Sequence, residues 1–280
     1  MGIRTYIRRG FQYIRTGVPV YHTSVQVQTS TPSNMLKNRN ILITGGGRGL
    51  GYYIAQKCIA ENANVVITGR NEATLRKATL DLGERCHYIV FDATNVSGIS
   101  KMLLEAEALI GGRKIDSLVS NAGISLHERN FHNVTEAGWD KQMDTNLKGN
   151  YFLTKEFIEY LETKDDKKGN IVVITSERAK RPDDIPYGLT KTATSSFIQA
   201  MARKVIEEGI RMNGVGPGVT ASDMTGYDRD GNLYAEWQTG KRIFMPEEVA
   251  EVVNFLLSDL SECISGEIIT CDQGRYIEHW

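Results

Sequence analysis

Tyr187 and Lys191 stand four residues apart in Tyr187-Gly188-Leu189-Thr190-Lys191, so a helix over this segment puts a phenol and an ammonium on one face. A free tyrosine has a pKa of about 10, too high for ready proton exchange near neutrality, and an adjacent positive charge lowers it. Such a pair suits acid/base work on an oxygen. On its own the spacing says little, because tyrosines and lysines share helix faces by chance in many proteins. Its weight comes from Ser176, which follows the apolar run Ile171 to Ile174 and lies upstream of the tyrosine. Open α/β sheets bind their ligands at such strand ends.

A second constellation is suited to a nucleotide. Ile41-Leu42-Ile43-Thr44 reads as a buried strand running into Gly45-Gly46-Gly47-Arg48-Gly49-Leu50-Gly51, and Tyr53 to Ala60 follows as an amphipathic helix. Glycines permit a tight turn and close approach of backbone to a pyrophosphate, whose charge meets the amides and positive end of the helix. The next strand, Val65 to Thr68, ends in Gly69-Arg70-Asn71. NAD sites usually carry a carboxylate at that strand end, whereas NADP sites carry a cation for the 2′-phosphate. Arg70, with Arg48 across the turn, therefore favours NADP(H). NAD(H) stays open, because Glu72 is close enough to bind a ribose and both arginines also read as solvated surface residues.

The elements needed to position these groups are visible in the composition. The 280 residues, 41% hydrophobic and 24% charged, suffice for one large α/β domain with a full core. Val- and Ile-rich runs alternate with helical stretches, the pattern of a parallel sheet covered by helices. These runs are of strand length and too short to span a bilayer. Cys58, Cys86, Cys263 and Cys271 are scattered without CxxC or zinc spacing, which fits a reducing compartment and no disulfide framework.

Charge is uneven along the chain. Arg4, Arg8, Arg9, Arg15, Lys37 and Arg39 occur in residues 1–39 without a single acid, leaving 27 basic against 34 acidic residues in 40–280. An acidic core argues against nucleic-acid binding. Residues 1–38 read as a basic extension, and residues 39–280 as the catalytic domain. Ile3, Tyr6, Ile7, Phe11 and Ile14 recur at helical spacing, with three readings: peripheral membrane contact through residues 1–17, a mitochondrial transit peptide, or a helix packed on the domain. Gly2 invites myristoylation, but Tyr6 stands where Ser or Thr is required. The expectation is a cytoplasmic protein, with peripheral membrane contact one reading of the extension, or a matrix protein if the extension is a transit peptide.

From about Lys37 onward the chain resembles the short-chain dehydrogenase/reductase family in its shorter, single-domain form. The family's T-G-x-x-x-G-x-G appears as Thr44 to Gly51, and its adenine-side Asp as Asp92, followed by Ala93, at the end of His87 to Phe91. Its N-A-G appears as Asn121-Ala122-Gly123, after Ile115 to Ser120. Asn146 matches the family asparagine, which the resemblance implies holds a water linking Lys191 to solvent; Ser176, Tyr187 and Lys191 complete a catalytic tetrad. Asn213 to Gly218 matches the strand and its Pro-Gly turn, and Ser222 falls where a Thr usually touches the nicotinamide half.

The resemblance implies a Rossmann-type doubly wound parallel sheet of about seven strands with helices on both faces. It implies cofactor contacts from Thr44, Gly45, Gly47, Arg48, Gly49, Leu50, Gly51, Arg70, Asp92, Ala93, Asn121, Ala122, Gly123, Tyr187, Lys191, Pro217, Gly218, Val219 and Ser222. The implied reaction passes hydride between nicotinamide and a carbonyl or secondary-alcohol carbon, with Ser176 bonding the oxygen, Tyr187 moving the proton and Lys191 lowering the tyrosine pKa while holding the ribose. No metal is required. A homotetramer or homodimer is implied, packed through the helices of Asn146 and Tyr187 and the last strand.

Individual residues keep plainer readings: Asp92 as a turn cap, Asn146 bonded to helix backbone, and Asn121 as a strand-end satisfier. A silent NADP-binding sensor or scaffold of the same fold is the alternative to catalysis, but such a protein has no need to keep all four tetrad residues. Between serine and tyrosine the chain departs from the family, with a short, charged Glu177 to Pro186 segment. It reads either as contact for a polar, sugar-like or phosphorylated substrate or as a solvated loop. Met224, Tyr227, Tyr234 and Trp237 in the variable stretch Val219 to Lys241 read either as a stacking surface or as packing.

Overall fold

In the strands, successive side chains point to opposite faces, and here both faces are covered. The computed structural model describes residues 20–277. The expected amphipathic helix of residues 1–17 lies outside the described residues. Seven strands form one parallel sheet in the order β3-β2-β1-β4-β5-β6-β7: β1 (Asn40–Thr44), β2 (Asn64–Gly69), β3 (Cys86–Val90), β4 (Ser117–Ser120), β5 (Gly169–Ile174), β6 (Ile210–Pro217) and β7 (Ile268–Cys271). The order reverses between β1 and β4, where open sheets leave a crevice.

Leu42, Val66, Leu118 and Ile171 pack to one side against α3 (Ile99–Leu109), α5 (Asn150–Glu162) and α6 (Pro186–Val205). Their chain neighbours Ile41, Ile43, Val65, Ile67 and Val172 pack to the other, against α1 (Gly49–Ala60), α2 (Glu72–Leu82) and α7 (Pro246–Leu257). The short α4 (Glu136–Gln142) runs into a π-helical turn, Met143–Gly149, before α5 begins. The strand ends Thr44, Ser120, Ile174 and Pro217 share one edge of the sheet, since parallel pairing keeps all seven strands in the same direction.

Residues ahead of β1 are tied to the domain by specific bonds. Glu61, fully buried at the end of α1, takes the amides of Ser33 and Met35 at 2.9 and 3.1 Å and the Lys57 ammonium at 2.9 Å. Burial pushes its carboxyl up, but those hydrogen bonds outweigh it and hold the pKa below the ordinary glutamate value. A carboxyl depressed in this way contributes stability above its unfolded pKa and loses it as pH falls through the folded one. Glu61→Ala strands two amides while Lys57 keeps Glu251 at 3.1 Å. It is expected to lower stability by about 2–3 kcal/mol at neutral pH, read from the urea midpoint.

Candidate active site

Thr44 and Asn121 lock the two central strand ends together. Thr44 Oγ1 accepts the amides of Asn121 and Ala122, both at 3.0 Å, and Asn121 Nδ2 donates to the carbonyls of Thr44 (2.9 Å) and Gly45 (3.3 Å). Their side chains thus serve the protein's own backbone and shape the floor of the crevice, which is the strand-end reading of Asn121. The glycine turn lies directly above. A Cβ at Gly51 would sit 2.3 Å from the Gly45 carbonyl oxygen, so the turn crosses the start of α1 only without one. Gly49 has φ +54°, and a Cβ there would meet nothing nearer than Ser222 Cβ at 4.0 Å, across an open groove.

The N-terminus of α1 faces that groove. Its N-cap, Arg48, supplies no side-chain cap, and the first turn holds no acid, so the terminal amides and the positive helix end remain for an anion. This fits a dinucleotide pyrophosphate. Leu50 packs on the core beneath, and Gly47 lies against Thr74 and Leu75. Arg48 pairs with Asp223 at 3.3 Å with both side chains largely exposed, an interaction of little energy that a ligand can replace. Arg70 is exposed at the end of β2 and forms no ion pair among the described residues. The Glu72 carboxylate receives the Tyr88 hydroxyl at 3.3 Å.

Asp92 Oδ1 accepts both the amide and the hydroxyl of Thr94 at 2.9 Å, the turn-capping arrangement. The Ala93 carbonyl oxygen packs so closely on Gly149 that a Cβ there would lie 2.4 Å away. Beyond β6, Gly218 donates its amide to Cys271 O at 2.9 Å, while the Val219 carbonyl takes the Phe244 amide at 3.0 Å. Ser222 bonds Thr220 O at 3.3 Å. Pro217 to Ser222 thereby forms the wall facing the glycine turn.

Pro186 occupies the first turn of α6, where its missing N–H goes unnoticed, and sets Tyr187 beside it with Lys191 one turn on. Lys191 Nζ donates to the Ile174 carbonyl at 2.9 Å and lies 5.8 Å from the centre of the Tyr187 ring. Burial pulls its pKa down to about 8. Burial likewise pushes the Tyr187 phenol up, against the Ser176 hydrogen bond and the Arg178 charge that lower it. Ser176 is itself oriented, its Oγ accepting the Arg178 amide at 3.2 Å as cap of the short turn Glu177–Lys180.

Asn146 is fully buried in the π-helical turn. Its carboxamide clamps the loop after β4, with Oδ1 accepting the Ile124 amide and Nδ2 donating to the Ile124 carbonyl, both at 2.8 Å. Gly123 brings it to the lysine: a Cβ there would lie 3.4 Å from Asn146 Oδ1 and 3.7 Å from Lys191 Nζ. The bonds run to a neighbouring loop rather than to helix backbone.

The charged segment before Tyr187 is solvated at Lys180, Arg181, Pro182 and Asp184 and anchored through Glu177 and Asp183. Glu177 is 3% exposed and holds Arg275 at 2.6 Å; Asp183 is buried and holds Arg178; Asp184 takes the Phe131 amide at 3.0 Å. Of the aromatics expected over the site, Tyr234 stacks on Tyr21, Tyr227 packs on a small apolar cluster and Trp237 lies 4.6 Å from the Arg275 guanidinium. Tyr234 and Trp237 thus face Tyr21 and Arg275, with Trp237 still 48% exposed. Sequence reasoning missed the π-helical turn, the buried Asp183 and the reach of Arg275. Only a charged residue set among turn residues marked the last two. Among the described residues no His, Cys, Asp and Glu cluster is arranged to hold a metal, and all four cysteines are free.

Sheet order, glycine turn and the Ser-Tyr-Lys arrangement together define a nicotinamide-dependent oxidoreductase. The chain belongs to the short-chain dehydrogenase/reductase family: a family profile described as enoyl-(acyl carrier protein) reductase matches residues 45–275. It is 32% identical to the 3-oxoacyl-[acyl-carrier-protein] reductase FabG of Chlamydia muridarum, over 86% of this chain and 99% of that one. It is 29% identical to dehydrogenase/reductase SDR family member 4 of Bos taurus, over 86% and 88%. A solved 3-ketoacyl-(acyl-carrier-protein) reductase from Brucella melitensis, complexed with NADH, superposes with a TM-score of 0.79 at 26% identity, over 86% of this chain and all of that one.

Proposed function

We propose that this protein interconverts a polar ketone and its secondary alcohol with NADP(H), using Tyr187 as acid/base. The observation that carries the reading is the convergence of Ser176, Tyr187 and Lys191 beside the uncapped N-terminus of α1. When bound, the nicotinamide supplies or accepts the hydride. Ser176 Oγ already accepts an amide, which leaves its hydrogen to donate to the substrate oxygen. Tyr187 gives that oxygen its proton in reduction and removes it in oxidation. Lys191, anchored by Ile174 O, stabilises the phenolate side of the exchange. Because burial raises the phenol's pKa, the protonated form needed for reduction is present through the neutral range, and oxidation gains as pH rises.

Arg70, exposed and without an ion-pair partner among the described residues, supports NADP(H). Arg70→Ala is expected to lower the NADPH-to-NADH ratio of kcat/KM by roughly 10- to 100-fold, as a charge-assisted phosphate contact is removed. Equal use of both cofactors by the wild type would refute the preference. A second substrate reading, a 3-oxoacyl thioester, is favoured by the likeness to the Chlamydia muridarum 3-oxoacyl-[acyl-carrier-protein] reductase. Absorbance assays of NADPH oxidation on a sugar ketone and on an acetoacetyl thioester separate the two. A homo-oligomer belongs to the same proposal, supported by an apolar groove of about 380 Å³ along Leu147 of the π-helical turn, Tyr151 and Phe152 of α5 and Phe197 of α6.

A further inference from the structure

We infer that Arg178 recognises the substrate of this site, and that this substrate is a ketone or secondary alcohol carrying a carboxylate or phosphate near the reacting carbon. The inference rests on the reading of Ser176 and Tyr187 as the groups that meet the reacting oxygen. Arg178 is fixed at both ends. Its amide donates to Ser176 Oγ at 3.2 Å, and its Nε and Nη2 donate to the Asp183 carboxylate at 2.6 and 2.7 Å. Asp183 lies against the first turn of α6, where a Cβ on Gly188 would come within 2.1 Å of Oδ2, and it also accepts the Ile185 amide at 3.3 Å. The guanidinium is thereby seated beside Tyr187.

One edge of that guanidinium is held by the carboxylate, and Nη1 has no hydrogen-bond partner among the described residues. Arg181 and Arg275 flank it: Arg181 lies 3.8 Å from Asp183, and both arginines stack near the Tyr276 ring, at 5.6 and 5.0 Å. The Asp183 and Glu177 carboxylates lie underneath and the three arginines on top. Side chains of Asp183 and Glu177 are 1% and 4% exposed, whereas those of Arg178, Arg181 and Arg275 are 28%, 41% and 24% exposed. The three guanidinium groups are therefore the solvent-facing part of this cluster, with one exposed carboxylate, Asp184, beside them on the Phe131 amide, although residues 40–280 are acidic as a whole. A guanidinium pre-set by a buried carboxylate offers an oxyanion donors whose orientation is already established, so little further ordering opposes binding. The Arg178 charge also reaches Tyr187, lowering the phenol's pKa.

The test compares kcat/KM for acetoacetate with methyl acetoacetate, and for dihydroxyacetone phosphate with dihydroxyacetone, in the wild-type enzyme. The charged member of one pair is expected to be favoured by roughly 10- to 100-fold, and the pair that shows it tells carboxylate from phosphate. Arg178→Lys keeps a cation for Asp183 but removes the planar fork, and is expected to reduce that preference chiefly through KM. A wild-type ratio near one in both pairs overturns the inference. It leaves the proposed chemistry standing if methyl acetoacetate is turned over and Tyr187→Phe abolishes that turnover. Should no ketone be turned over, the proposed function is what fails. Calorimetry of the NADP⁺-bound protein with 3-hydroxybutyrate and its methyl ester then tests Arg178 alone. Binding of the acid that weakens in Arg178→Lys supports the inference, and equal binding of acid and ester, or none, overturns it.

Discussion

Tyr187→Phe is expected to lower kcat by about 10²- to 10⁴-fold while leaving NADPH affinity within a few-fold of wild type. The substitution removes one hydroxyl from a ring that otherwise stays in place between Pro186 and Gly188, at the start of a long helix whose packing does not depend on it. Ser176 can still bond the substrate oxygen, and Lys191 keeps its bond to Ile174 O, so positioning survives and proton delivery does not. The loss should therefore fall on kcat rather than KM. Steady-state rates with saturating NADPH, together with cofactor binding by fluorescence, check both halves. A variant that retains more than about a tenth of the wild-type kcat would mean that water or another group carries the proton.

Lys191→Met should inactivate the enzyme and stabilise the apo protein at the same time. The ammonium is buried, and its pKa falls from 10.5 to about 8 because burial disfavours its charge. Below about pH 8 the lysine is protonated in both folded and unfolded chains, and folding bears the full penalty, about 3 kcal/mol for a shift of this size. Between the two pKa values the unfolded chain binds more protons than the folded one, so wild-type stability rises with pH and the penalty fades. Methionine removes the charge but leaves the Ile174 carbonyl without its donor, which offsets part of the gain. The net expectation is about 1–2 kcal/mol in favour of Lys191→Met near pH 7, shrinking towards pH 10. Urea midpoints of the two proteins at neutral and alkaline pH measure it. A wild type that is the more stable at neutral pH would show that the lysine does not sit in the site as a strained charge. The expected loss of activity, at least about 10²-fold, follows from losing the cation that stabilises phenolate. This is a stability held below its maximum for the sake of function.

Much of this site was legible along the chain because its parts are local. Tyr187 and Lys191, four residues apart, share a helix face through the period of the helix alone. The glycine turn announces itself because a tight turn over a helix start tolerates no side chain, as Gly51 against the Gly45 carbonyl illustrates. What was not legible was the direction in which polar side chains turn. Thr44 and Asn121, expected at the cofactor site, also bond each other's backbone across the two central strand ends. Glu177 to Asp183 has the composition of a solvated loop, yet its carboxylates are buried by arginines. The π-helical turn that carries Asn146 has no signature separable from ordinary helix, since one added residue per turn leaves the composition unchanged.

The sequence by itself determined the alternation of strands and helices, the nucleotide turn and the Ser-Tyr-Lys spacing. Each of these follows from backbone sterics and side-chain periodicity among residues close in the chain. Tertiary structure alone decided that Arg275 would reach Glu177 and that Arg178 would be held over the first turn of α6 with one edge outward. The first pairing joins residues 98 apart and the second is set by how the local turn seats on α6; both depend on which carboxylates packing leaves buried, since a buried carboxylate must find a cation wherever the fold brings one.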